Sequence, residues 1–160
     1  MVMVKRTKSM AVSIRNPQKK VKLNLPRLRR SVNKVMAYLG LKDREVSLLL
    51  TDDEGIREIN RLYLNKNQPT NVISFAQQEG EFKEISPFLL GDIIISVETA
   101  SREAELGGLT LDDELTYLFV HGLLHLIGYN HEDSSSAEEK RMFDKTKEIL
   151  NYLKKPHINI

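Results

Sequence analysis

The sequence contains no cysteine. That absence excludes a disulfide framework and every zinc site built on thiolates, and it suits a reducing compartment. Long apolar runs are missing as well. The longest, LTYLFVHGLLHLIGY, is interrupted by two histidines and falls short of the roughly 20 residues a membrane span needs. No membrane association is expected. No basic-then-apolar segment with a small-residue cleavage site opens the sequence, so no signal peptide is expected and a cytoplasmic location is inferred. Acidic residues are absent from the first 36 positions, which carry eleven Lys and Arg. Residues 37–160 reverse the balance, with thirteen Lys and Arg against twenty-two Asp and Glu. The net charge of +2 therefore conceals two oppositely charged parts. A basic segment of one sign is the footprint expected for a phosphate backbone, but a solvated basic face with a frayed tail has the same composition.

The 160 residues suffice for one ordinary core, and 41% hydrophobic with 29% charged residues matches a folded globular chain. The division expected is a basic, disordered extension over 1–9, a single domain over 10–155 and a tail over 156–160. Met10 offers an alternative start. AVSIR (11–15) alternates like a short strand, and NPQKK reads as a turn. LPRLRRSVNKVMAYLG reads as a helix with Leu28, Val32, Val35, Met36 and Leu39 on one stripe, Pro26 near its start and Gly40 at its end. EVSLLLT (45–51) is a buried strand. Asp52 or Asp53 caps a helix whose Ile56, Ile59, Leu62 and Tyr63 are expected to share a face. A polar loop with Pro69 leads into the strand NVISFA (71–76), and LLGDIIISVE (89–98) is a β-branched strand. VETASREAELGG is a helix ended by Gly107 and Gly108. Thr110 caps a helix from Leu111 to Gly128, and SAEEKRMFDKTKEILNYL forms the last, with Met142, Phe143, Ile149, Leu150 and Leu153 apolar. The order β-α-β-α-β-β-α-α-α predicts an α+β fold, a mixed four-stranded sheet covered by about five helices.

Only four histidines occur, and three lie in the eleven residues HGLLHLIGYNH, 121–131. His121 and His125 are one helical turn apart, with Cβ atoms about 6 Å from each other, so both imidazoles reach one ion. Gly128 ends the helix and lets His131 return to the same ion. Three neutral imidazoles with a fourth position open describe a catalytic zinc site. A structural zinc closed by Glu132 or Asp133 is the alternative, and histidines with no metal role are the plainest one. The spacing is that of the long zincin pattern H-E-x-x-H-x-x-G-x-x-H, with Gly122 in place of the general base, which argues against a peptidase. A three-histidine zinc keeps its full charge, activates water and attracts anions; with the basic N-terminal third this favours hydrolysis of a phosphodiester.

The run H-G-L-L-H-L-I-G-Y-N-H-E-D resembles the signature of the YbeY family, bacterial metal-dependent endoribonucleases of rRNA maturation. QPTNVISF (68–75) is similar to that family's K-P-T-[DN]-V-L-S-F stretch, and LLGDIIIS (89–96) to its L-G-D-[IV]-x-I strand. The resemblance spans roughly 24–153. It implies a four-stranded α+β fold, zinc held by His121, His125 and His131, and cleavage of single-stranded RNA. It further implies a role in maturing the 3′ end of 16S rRNA and in late ribosome quality control. The partners implied are the small ribosomal subunit and assembly factors such as an Era-type GTPase. A non-catalytic assembly factor with a structural zinc is the competing reading. The chain departs from the family at one position. In Y-R-x-K-x-x-P-T-[DN]-V the arginine is replaced here by Leu64, which cannot pair with phosphate. Arg61 or Lys66 is the expected substitute cation. Asp92 is read as an orienting group for an imidazole or loop, or as a turn acid at a strand edge. Thr70 and Asn71 either line the RNA site or bond within their loop. Glu132 and Asp133 either move protons near the metal or cap the last helix. His157 is read as a tail residue.

Overall fold

The computed structural model describes residues 11–77, 88–129 and 136–155. His131, Glu132, Asp133 and His157 lie outside the described residues, as do the expected extension and tail. The elements are β1 (Val12–Arg15), α1 (Leu25–Tyr38), β2 (Glu45–Thr51), α2 (Asp53–Leu64), β3 (Val72–Ala76), β4 (Leu89–Ser96), α3 (Val97–Gly107), α4 (Leu111–Leu126) and α5 (Ser136–Lys154). This is the order the hydrophobic periods predict. β4 ends earlier than its apolar run, because the Ser96 side chain accepts from the Thr99 amide and caps α3 directly.

The sheet order is β1-β2-β4-β3. β1 and β2, and β2 and β4, pair in parallel, while β3 runs antiparallel to β4 at the opposite edge from β1. The fold is α+β, with a mixed four-stranded sheet and five helices. The pleat assigns its two faces. Val46, Leu48, Leu50, Ile93 and Ile95 point into the main core, against Leu28, Val32 and Val35 of α1, Leu115, Phe119 and Leu123 of α4, and Met142 and Ile149 of α5. Each such fully buried aliphatic or Phe side chain contributes about 1.5–3 kcal/mol. Ile73 and Ile94 point the other way and meet Ile56 of α2 in a smaller cluster.

α2 corrects the expectation for its face. Ile56 and Asn60 are buried and Leu62 is 60% exposed, while Tyr63, though 70% exposed, meets Phe75 edge-on at 5.5 Å and so keeps the expected face. The small second cluster is too narrow to cover a full apolar stripe, and the sheet below is satisfied by Ile56 and the partly buried Ile59. Phe143, expected among the apolar positions of α5, is likewise 64% exposed.

Gly91 explains the glycine of LLGD. The register slips between Glu45 and Val46, so Leu90 is an extra residue in β4, and Gly91 adopts φ +152°. A Cβ there would lie 2.1 Å from the Phe75 carbonyl oxygen and 2.9 Å from Leu126 Cδ2. Only glycine allows β3 and the last turn of α4 to close in on this point together.

Candidate metal centre

Thr110 starts α4 by accepting from the Asp113 amide at 3.1 Å, and Asp112, Asp113 and Glu114 sit in its first turn, where the helix dipole favours acids. Most of α4 is buried. His121 and His125 are the exception toward its end, partly buried and one turn apart. Their Nε2 atoms are 3.2 Å from each other and their rings are inclined at 72°. Two nitrogens bound to one tetrahedral zinc at about 2.0–2.1 Å are about 3.3 Å apart. The separation is that of an N–H···N hydrogen bond between the rings and also fits two nitrogens on one ion. After Leu126 the helix stops, with Gly128 at φ +107° and its amide donating to the His125 carbonyl at 3.2 Å. Among the described residues no group of three or more His, Asp or Glu could hold a metal ion.

The imidazoles face a cavity of about 490 Å³. Its walls come from three places. Ser74 and Ala76 are the α4-facing residues of β3; Asn60 and Leu64 belong to α2; Lys66, Gln68 and Thr70 belong to the connecting loop. Local chemistry holds that loop. Asn65 takes the left-handed conformation at φ 56°, which asparagine tolerates, and closes α2 onto the Asn60 carbonyl. The Lys66 amide also donates to that carbonyl at 3.1 Å, and Asn60 Nδ2 donates to the Gln68 carbonyl at 2.9 Å. At the far end Asn71 Nδ2 donates to both carboxylate oxygens of Glu103, at 3.1 and 3.2 Å. Sequence reasoning missed Asn60 as part of the site. Its signal is a polar residue one turn after Ile56 on the buried stripe.

Gly122 is fixed by packing. A Cβ on it would stand 3.0 Å from Ile93 Cγ2 and 3.3 Å from two further Ile93 carbons. A glutamate here, as in the zincin pattern, would require the Ile93 side chain to give way, because α4 rests directly on β4 at this point. Of the two proposed cations, Lys66 lines the cavity, whereas Arg61 points elsewhere and pairs with Glu58 on the exposed side of α2. Leu64 lines the cavity itself, so the family's arginine position borders the site. Thr70 lines it too, while Asn71 serves the loop through Glu103. Asp92 is neither at an edge nor near the histidines. It lies mid-sheet, between Ser47 and Phe75, on the face shared with Ile94 and α2.

A second pair of like groups joins the start of α4 to α3. Glu114 is buried, and burial together with a hydrogen bond to Glu103 pushes its carboxyl up to about 7. Protonated Glu114 donates to Glu103, which still accepts from Asn71. This links the start of α4 to the loop bordering the cavity. Nearby, Asp53 accepts from Ser96 and Thr99 hydroxyls at 2.6 Å and from Arg102 at 2.8 Å. Burial raises the Asp53 carboxyl, and these donors more than reverse it, leaving it below the usual range.

Residues 13–154 match the family described as Endoribonuclease YbeY. The chain is 52% identical over 142 residues to an endoribonuclease YbeY of Syntrophus aciditrophicus, covering 89% of each protein. It is 48% identical over 146 residues to that of Geobacter metallireducens, covering 91% of this chain and 97% of the relative. The solution structure of TM1509 from Thermotoga maritima superimposes with a TM-score of 0.62 over 89% of this chain, at 24% identity, and so shares the fold. The paired imidazoles, the loop beside them and the matching relatives lead to one assignment: the chain belongs to the endoribonuclease YbeY family.

Proposed function

We propose that this protein is a zinc-dependent endoribonuclease of single-stranded RNA, acting in the cytoplasm on the 3′ end of 16S rRNA and in late ribosome quality control. Its partners are the small ribosomal subunit and assembly factors such as an Era-type GTPase. The observation that carries the reading is the 3.2 Å separation of the His121 and His125 Nε2 atoms at the wall of a polar cavity. His121, His125 and His131 would hold the zinc. When bound, zinc supplies a Lewis acid that neutralises phosphate charge and makes water a stronger nucleophile at neutral pH.

The chain's own groups do the rest. The His121 and His125 rings present their Nε2 atoms as donors to the ion, so each must be neutral to bind it. Lys66 carries a positive charge at the cavity wall, where it attracts the phosphodiester. Thr70, Ser74 and the Gln68 amide offer hydrogen-bond donors and acceptors to ribose and phosphate oxygens. The loop that presents Lys66, Gln68 and Thr70 is held at both ends before substrate arrives, which lowers the ordering cost of binding. Gly122 provides no base, so proton transfer from the attacking group falls to another residue or to solvent.

Leu64 favours a second reading, a non-catalytic assembly factor with zinc as a staple, because no guanidinium lines the cavity among the described residues. Cleavage of a single-stranded RNA spanning a 16S 3′ end, by wild type and by His125→Ala, separates the two. The enzyme reading expects a folded, zinc-poor and inactive variant. A variant that unfolds when zinc is lost, beside a wild type that cuts nothing, supports the staple. A 2′,3′-cyclic phosphate end on the product identifies the ribose 2′-OH, rather than water, as the nucleophile.

A further inference from the structure

We propose that the groove between α4 and α5 is a second nucleotide subsite, taking an unstacked base of the same RNA strand as it passes His121. This rests on the RNA-cleaving reading of the polar cavity. The groove has a volume of about 610 Å³, and His121 lines both it and the polar cavity, so the two spaces meet at one imidazole. A strand with a phosphate at His121 therefore leaves the polar cavity toward α5.

The lining has the chemistry of a base platform. Phe143 is 64% exposed and Tyr117 40% exposed, and both face the groove. Neither is needed there by the core, which Met142 and Ile149 already serve on α5. The Tyr117 ring lies 6.5 Å from the His121 ring with a 32° tilt, continuing a row of ring faces from the groove to the metal centre. Among the described residues Lys140 and Lys147 border the groove against one acid, Glu139, and Lys147 Nζ sits 6.0 Å from the centre of the Phe143 ring. Flat rings flanked by surplus positive charge are what single-stranded nucleic acid requires: the rings take the base and the ammonium groups take the backbone. An apolar partner helix would use the rings but leave both lysines unanswered, and it would not explain the shared histidine. The polar cavity alone contacts sugar and phosphate, which any strand or duplex presents. A base pocket beside it admits only nucleotides that can unstack, which is a physical source of preference for single strands.

The test is fluorescence anisotropy of a labelled oligouridine decamer with the full chain. The proteins compared are wild type, Phe143→Ala and Phe143→Trp, with melting temperature and zinc content recorded on each. Phe143 is exposed, so its truncation leaves the fold intact. Expected is an affinity loss on the order of tenfold in Phe143→Ala, recovered in Phe143→Trp, with zinc content unchanged. A walk of single abasic sites along the decamer should find one position where wild type loses affinity and Phe143→Ala loses no more, the signature of a direct pair. Equal affinity of wild type and Phe143→Ala, or abasic losses that are the same in both, overturns the subsite while leaving the metal centre untouched. A wild type that neither binds nor cuts the RNA overturns the subsite together with the function it rests on.

Discussion

Helix α4 forces like groups together twice, and it resolves the two conflicts in opposite ways. Near its start Glu114 meets Glu103; near its end His121 meets His125. In the carboxyl pair Glu114 of α4 is buried and Glu103 of α3 half-buried, and Glu114 keeps its proton to about pH 7. The imidazole pair opens onto the polar cavity, with His121 also lining the groove toward α5, and is spaced for a cation. A buried acid beside a second acid holds its proton to higher pH, because a second charge there is costly. Two bases on an open wall can exchange solvent for a metal. Closeness of like groups is thus not by itself a functional signal; access decides.

The comparison can be broken at either pair. The largest effect is expected from His125→Ala, which removes half of the described ligand pair. Zinc should be lost and RNA cleavage should fall by at least about a hundredfold, measured by metal content and single-turnover cleavage. Gly122→Glu comes next. It restores the zincin glutamate but drives its Cβ into Ile93, so a loss of about 2–4 kcal/mol in urea unfolding is expected, with no peptidase activity gained. A variant of wild-type stability would show that α4 and β4 part more easily than their contact implies.

Glu114→Gln addresses the carboxyl pair. The Glu114 carboxyl is raised to about 7 in the folded chain against an ordinary 4.5. The folded state therefore binds more protons than the unfolded one between those values, and stability falls as pH rises through that window, by up to about 3 kcal/mol. The side-chain amide of this variant keeps a donor toward Glu103 without titrating. The variant should match wild type near pH 4.5, exceed it above pH 7, and lose the slope between, as read from melting temperature against pH. The smallest effect is expected from Leu64→Arg. Lys66 already brings one charge to the cavity, so RNA affinity should improve only about three- to tenfold at low salt. A far larger gain in cleavage would mean that neither Lys66 nor Arg61 compensates for the missing guanidinium.

The legible parts of the molecule were those governed by neighbours in sequence. Element order followed from hydrophobic periods and caps, as with Thr110 and the seven-residue β2. The i, i+4 histidines were readable because a helix dictates their meeting. Contacts across long sequence separations were not readable. Gly122 is explained by Ile93, Gly91 by the Phe75 carbonyl, and Asn71 by Glu103 on α3. None of these partners is implied by local spacing. The face of α2 escapes sequence reading for a similar reason: its apolar pattern suggests a broad stripe, but the cluster beneath it holds little more than Ile56, Ile73 and Ile94. Leu62 is left outside, and Tyr63 reaches only its rim, at Phe75.

The most direct test of the account is zinc binding by the full chain, with wild type compared to His121→Ala and His125→Ala at equal purity and with melting temperatures alongside. The account predicts one tightly held zinc per wild-type chain, and its loss by both variants with the fold retained. Zinc retained by either variant, or none held by the wild type, would contradict it.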